Sequence, residues 1–153
     1  MIKVLFVCLA NICRSPMAEG LFKDFVKRKG LEDKFHFESR AISKWENQPV
    51  HEKTVEKLES LTVDMRKKSS KQITERDFIE YDYIIGMDKM NLNYLKSFED
   101  GYYQDKVYPY IKRKNIPDPF FTGDFDKTYK MLSKKVESWV NKILKEEEIE
   151  SNQ

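Results

Sequence analysis

The stretch Ile2-Lys3-Val4-Leu5-Phe6-Val7-Cys8-Leu9-Ala10-Asn11-Ile12-Cys13-Arg14-Ser15-Pro16 decides how the rest of the chain is read. Residues 2–7 form a short apolar run rich in β-formers, as expected of a parallel strand buried on both faces. Ser15-Pro16 then predicts a helix start, with Ser as N-cap and Pro in the first helical position. Met17, Leu21, Phe22, Phe25 and Val26 follow helical spacing, and Gly30 ends the helix. A strand that passes through a tight loop into a helix is the opening unit of an α/β fold. A signal peptide would need a longer apolar stretch and a small-residue cleavage site, whereas this run stops at Asn11 and Arg14. A buried strand in a cytoplasmic protein is the expectation.

The alternation continues outward. Phe35-His36-Phe37-Glu38-Ser39 reads as a second strand, and residues 50–61 as a helix with Val50, Val55, Leu58 and Leu61 on its apolar face. Thr74 and Asp77 can cap a short helical turn. Tyr83 to Met87 reads as a third strand, Asp88 as the cap of a helix carrying Met90, Leu92, Tyr94 and Leu95, and Lys106 to Tyr108 as a weak fourth strand. Ile116 to Gly123 is expected to be neither helix nor strand, because two prolines flank Asp118. One long helix is expected from about Asp124 to Glu146, with a frayed acidic tail after Lys145. The pattern predicts one domain over residues 1–153: a doubly wound, four-stranded parallel sheet with helices on both faces and an anion-binding loop after the first strand.

Composition agrees with that reading. A chain of 153 residues can bury an ordinary core without disulfides, and 40% hydrophobic with 13% aromatic residues is too apolar for disorder. Lys and Arg total 28 against 26 for Asp and Glu, so the net charge is +2, far from the basic excess of a nucleic-acid binder. No apolar run approaches the ~20 residues of a membrane span. The two cysteines, Cys8 and Cys13, lie too close in sequence to staple a domain. With only His36 and His51 as further soft ligands, and neither in a ligand-spaced pair, no zinc site is expected.

The loop Cys8 to Ser15 sits at the carboxyl end of a strand and the start of a helix, where open α/β sheets bind ligands. Free N–H groups and the positive dipole end of a helix favour an anion there, a cysteine thiolate included. Five residues between Cys8 and Arg14 let the backbone of Leu9, Ala10, Asn11, Ile12 and Cys13 curl around one tetrahedral anion. Arg14 closes that cradle with a planar fork able to hold two phosphate oxygens, a geometry Lys lacks. The Ser15 hydroxyl can donate to the Cys8 sulfur.

Val7 to Glu19 closely resembles the signature of the low-molecular-weight protein tyrosine phosphatases. The resemblance continues in Phe37-Glu38-Ser39 with Trp45, in Lys71 to Thr74, in Tyr83 to Asp88 and in Asp118-Pro119-Phe120-Phe121, so it spans nearly the whole chain. It implies a cofactor-free phosphotyrosine hydrolase. Its partners would be phosphotyrosine proteins or peptides, with inorganic phosphate as product and neither nucleic acid nor membrane engaged, acting as a monomer or weak dimer. By the same resemblance Cys8 is the nucleophile, Arg14 holds the phosphoryl oxygens, and Asp118 is the general acid and then base. Asn11 is the strained loop residue bonding Ser15 and Ser39. Trp45 and Phe120 wall the substrate slot, and Cys13 can pair reversibly with Cys8 under oxidation.

Four positions depart from the family pattern. Ala10 stands where Gly is common, which would cost roughly 1 kcal/mol if the backbone required positive φ. Lys68 stands where a His often supports the loop, and Phe120-Phe121 replaces a phosphorylatable Tyr-Tyr pair. Among related activities, an arsenate reductase would need a further cysteine to relay a disulfide. A protein arginine phosphatase typically has Thr in place of Ile12. A binding module without catalysis would lack Cys8 or Asp118.

Overall fold

The computed structural model describes residues 1–151. Its elements are β1 (Ile2–Cys8), α1 (Arg14–Arg28), β2 (Phe35–Ala41), α2 (Glu52–Leu58), α3 (Glu75–Glu80) and β3 (Tyr83–Gly86), followed by α4 (Lys89–Ser97), β4 (Val107–Pro109), α5 (Pro119–Thr122), α6 (Phe125–Ser133) and α7 (Val136–Ser151). The strands form one all-parallel sheet in the order β2-β1-β3-β4. From β1 the chain builds to one side with β2 and then returns to build on the other with β3. That reversal opens a crevice beyond the carboxyl end of β1, the usual ligand position in such sheets.

Side chains of β1 alternate between two cores. Val4, Phe6 and Cys8 face the larger core with Phe22 and Val26 of α1 and Val140 and Ile143 of α7, while Leu5 and Val7 face a smaller one with Phe78 of α3 and Leu95 of α4. Phe6 and Phe22 are fully buried, with ring centroids 4.6 Å apart. Each such ring contributes about 1.5–3 kcal/mol by leaving water. The alternation has a functional consequence: it turns Cys8 toward α1, where the loop and the helix start meet.

Several boundaries differ from the sequence expectation. Helix α1 begins one residue before Ser15, with Cys13 in the capping position and no side-chain cap bond. The Ser15 hydroxyl is committed to Asn11 and Cys8 instead. At the other end the prediction holds: Gly30 has φ +69°, its N–H reaches the Lys27 carbonyl, and the Leu31 N–H reaches that of Val26. The helix expected over residues 50–61 is shorter, Glu52–Leu58, because His51 caps it through Nδ1, which accepts from the Lys53 amide.

The Asp118 segment was expected to be irregular, yet it starts a short helix. Asp118 is the N-cap of α5 and Pro119 its first residue, a place where the missing N–H costs nothing. The single last helix is two. The Tyr110 hydroxyl donates to the Leu132 carbonyl at 2.5 Å, and the Lys135 amide reaches the same carbonyl in a tighter turn. That carbonyl is thereby withdrawn from the regular ladder, and α6 ends. The acidic tail expected to fray is helical through Ser151, and the Tyr83 hydroxyl donates to Glu146 at 2.9 Å. No helix among the described residues is long and apolar enough to cross a membrane.

Candidate active site

Cys8 ends β1, and the loop from Leu9 to Cys13 turns directly into α1. The loop carbonyls are engaged on its outside: Cys8 with the Ile42 amide, Leu9 with Ser43, Ile12 with His51 and Cys13 with Met17. None of the five backbone amides from Leu9 to Cys13 donates to a protein atom among the described residues. Asn11 has φ +59°, which reverses the chain so that successive amides face one point. Ala10 has no positive φ, so the methyl group introduces no backbone strain there.

Asn11 is fully buried behind the loop and does not line the cavity, and the same holds for Ser15. Both act as supports. Asn11 Nδ2 donates to Ser15 Oγ at 2.8 Å and to Ser39 Oγ at 2.9 Å, while its Oδ1 accepts from the Lys71 amide at 3.2 Å. Both amide protons are then used, so each hydroxyl passes its own proton onward. Ser39 donates to Glu19 at 2.6 Å, and the Ser15 hydroxyl has both Cys8 Sγ at 3.1 Å and the Arg40 carbonyl at 3.4 Å within reach of its proton. Glu19 is 1% exposed and is held by Lys68 at 3.2 Å and Lys23 at 2.6 Å. Lys68 also donates to the Ser39 carbonyl at 3.1 Å. The departure from His at this position therefore leaves the support complete, with an ammonium anchoring its far end.

Arg14 is 1% exposed. Its Nη1 donates to Asp88 at 2.6 Å and to the Ile116 carbonyl at 2.9 Å, and its Nη2 lies 3.4 Å from Asp118 Oδ2. Its Nε is buried without a partner. A buried orphan donor costs about 1–3 kcal/mol unless a ligand satisfies it. Burial works against the charge on Arg14, but Cys8, Asp88 and Asp118 outweigh it and raise its pKa above the ordinary value. Asp118 uses Oδ1 to accept from the Phe120 amide as a helix cap, which leaves Oδ2 facing the site.

These groups surround a cavity of about 200 Å³. Cys8, Leu9, Ala10, Ile12 and Cys13 form its floor, Ser43, Trp45, Phe120 and Phe121 its walls, and Asp118 lies at its edge. Trp45 and Phe120 are each 50% exposed, so Trp45 stands as a wall and not in the core. The His51 ring packs edge-on to Phe120 and 4.8 Å from Phe125, while the His51 amide holds Ile12 of the loop. Sequence reasoning missed three contributors: Ser43 as lining, His51 as a brace, and Asp88 as the partner that fixes Arg14. Asp88 was legible only as a helix cap. Its position at the carboxyl end of the strand beside β1 was the available signal.

The two cysteines differ in kind. Burial, then the neighbouring Cys8 and Asp118, push the Cys13 thiol up to about 12 against the lowering effect of Arg14 and Thr54. Cys13 therefore stays protonated at neutral pH. Iodoacetate, an anion that reacts with thiolates, should label one thiol, Cys8, and phosphate should protect it. Labelling of both cysteines at equal rates, read by peptide mapping, would contradict this assignment.

Known proteins match this chain over nearly its whole length. The family model described as low molecular weight phosphotyrosine protein phosphatase matches residues 3–150. The chain is 36% identical over 156 residues to the low molecular weight protein-tyrosine-phosphatase YfkJ of Bacillus subtilis, covering 97% of this chain and 100% of the relative. It superposes on SP-PTP, the low molecular weight protein tyrosine phosphatase of Streptococcus pyogenes, with a TM-score of 0.86 at 41% identity over 98% of each chain. The YwlE arginine phosphatase is more distant, with a TM-score of 0.82 at 27% identity over 94% of this chain and 97% of its own. With the family model and a 36% identical relative both matching nearly its full length, this chain belongs to the low molecular weight phosphotyrosine protein phosphatase family.

Proposed function

We propose that the chain hydrolyses phosphotyrosine in proteins and releases inorganic phosphate. One observation carries the reading: Cys8, the undonated loop that follows it and Asp118 meet at one small cavity, and Arg14, buried directly behind that loop, reaches Asp118 with Nη2 and keeps Nε unpartnered. Cys8 Sγ attacks phosphorus while Asp118 Oδ2 gives its proton to the departing phenolate oxygen. A cysteinyl phosphate and a free tyrosine result. Water then attacks the phosphorus, Asp118 takes its proton, and the sulfur leaves as thiolate, steadied by the Ser15 hydroxyl. Through both steps the loop amides and Arg14 hold the equatorial oxygens, where transition-state charge sits.

The walls favour an aromatic substrate. Trp45 and Phe120 can sandwich a phenyl ring that reaches the floor, whereas a phosphoserine side chain is too short to do so. A reducing cytoplasm would keep Cys8 available as a thiol. The test compares phosphotyrosine, phosphoarginine and phosphoserine peptides at equal concentration. Phosphotyrosine should be hydrolysed fastest and phosphoserine slowest, with no loss of rate in chelator. A preference for phosphoarginine, or inactivation by chelator, would replace this reading with another.

A further inference from the structure

The basic run Lys112-Arg113-Lys114 plays no part in the site described above. The fold brings it beside two lysines that are remote in sequence. Lys112, Lys135 and Lys142 rim a groove of about 430 Å³ whose floor includes Tyr108, Ile111 and Trp139. The Lys142 ammonium stands over two rings, 5.2 Å from the Trp139 centroid and 5.9 Å from that of Tyr108. No carboxylate lines the groove, and among the described residues none of the three lysines forms an ion pair. Arg113 has φ +62° in a tight turn closed by the bridge between Ile111 and Lys114, so the basic side chains sit on a fixed hairpin tip. The start of α7 adds the positive end of its dipole to the same place.

The position relates the groove to the active site. Val7, Gly86 and Pro109 lie in one row across β1, β3 and β4. At roughly 4.8 Å per strand, the end of β4 is about 10 Å from the end of β1, and both ends open on the same side of the sheet. Strand β4 is the sheet edge. Three unpaired ammonium groups over an apolar aromatic floor complement a short segment that carries several carboxylates and some apolar surface.

We propose that this groove docks an acidic segment of the phosphoprotein substrate, a few residues from the phosphotyrosine. The proposal rests on the phosphatase reading and adds a rule of substrate choice to it. The slot between Trp45 and Phe120 is matched to a single side chain, whereas the groove reads sequence around it. An extended chain covers the 10 Å in about three residues, so carboxylates three to six residues from the phosphotyrosine are the expected match. Three exposed ion pairs of ordinary strength amount to about tenfold in affinity.

The experiment uses phosphotyrosine peptides that carry four Glu, four Gln or four Lys at that spacing, assayed at low and high salt. The full chain should hydrolyse the Glu peptide with a kcat/KM about tenfold above the Gln peptide, through KM, and salt should remove the difference. Lys112→Gln with Lys135→Gln and Lys142→Gln should abolish the advantage and leave p-nitrophenyl phosphate hydrolysis unchanged. Lys112→Glu with Lys135→Glu, which keeps Lys142 on its rings, should reverse it in favour of the Lys peptide. An acidic advantage that survives both variants would overturn the proposal, as would tighter binding of an RNA oligonucleotide than of the Glu peptide at the same lysines. NMR titration with the unphosphorylated Glu peptide is independent of turnover. It should shift the Trp139 indole N–H and not that of Trp45, and the absence of such a shift would also overturn docking. If p-nitrophenyl phosphate is not hydrolysed at all, the phosphatase reading fails and this titration alone decides whether the groove binds acidic peptides.

Discussion

Cys8→Ser is expected to bring phosphotyrosine hydrolysis down to background while leaving both the fold and anion binding intact. Cys8 is 3% exposed at the end of β1, and serine is the smaller isostere, so neither core loses a large side chain. What disappears is the nucleophile. A serine hydroxyl at this position has no general base beside it: its near neighbour Ser15 is itself a neutral hydroxyl that accepts from Asn11, and Asp118 lies across the cavity, bound to the Phe120 amide and Arg14. The loop amides and the Arg14 fork remain in place and do not depend on sulfur. Phosphate should therefore still raise the melting temperature of the variant, by about 2.7 kcal/mol of stabilisation at a hundredfold excess over its Kd. Measured together, loss of turnover and retained phosphate stabilisation locate the defect in the chemistry. Residual activity near the wild-type rate would sink the assignment of Cys8.

How much of this could be read from the sequence depended on how local each feature is. The strand, loop and first helix are contiguous, so the nucleophile, the arginine and the anion cradle were legible from residues 2–30. The Asp118 helix was misjudged because proline was weighed as a breaker and not as a first helical residue. The break between α6 and α7 has no local signature: the Leu132 carbonyl at the break accepts from a hydroxyl 22 residues away, on Tyr110. The same applies to the fixing of Arg14 by Asp88, 74 residues away, and to the chain from Lys68 through Glu19 and Ser39 to Asn11. The grouping of Lys112 with Lys135 and Lys142 around one groove is equally non-local, because these residues meet only through folding. Residue types announced the chemistry. The partners that hold those residues in position were invisible until the sheet order placed the strand ends side by side.

Asp118→Asn carries the second large effect, and its size should depend on the leaving group. Asn keeps the shape of the side chain and can keep the cap, because its amide oxygen can still accept from the Phe120 N–H. Helix α5 and the Phe120 wall should stay where they are. What Asn cannot do is give a proton to the departing oxygen in the first step or take one from water in the second. A positioned acid is worth about 10²–10⁴-fold. For phosphotyrosine, whose phenolate is a strong base and a poor leaving group, the full loss in kcat is expected. For p-nitrophenyl phosphate the leaving phenolate is a far weaker base and departs with little help, so cleavage of the ester should suffer much less. Breakdown of the cysteinyl phosphate still needs the base, so with p-nitrophenyl phosphate the intermediate should accumulate and a burst of nitrophenol should precede a slow steady state. Wild-type protein should show a smaller burst, and the two substrates should differ less in kcat. An equal loss on both substrates without a burst would mean that Asp118 acts only as a support for Arg14. In that case the proton must come from elsewhere, and the pH dependence of kcat in the variant would follow a different group.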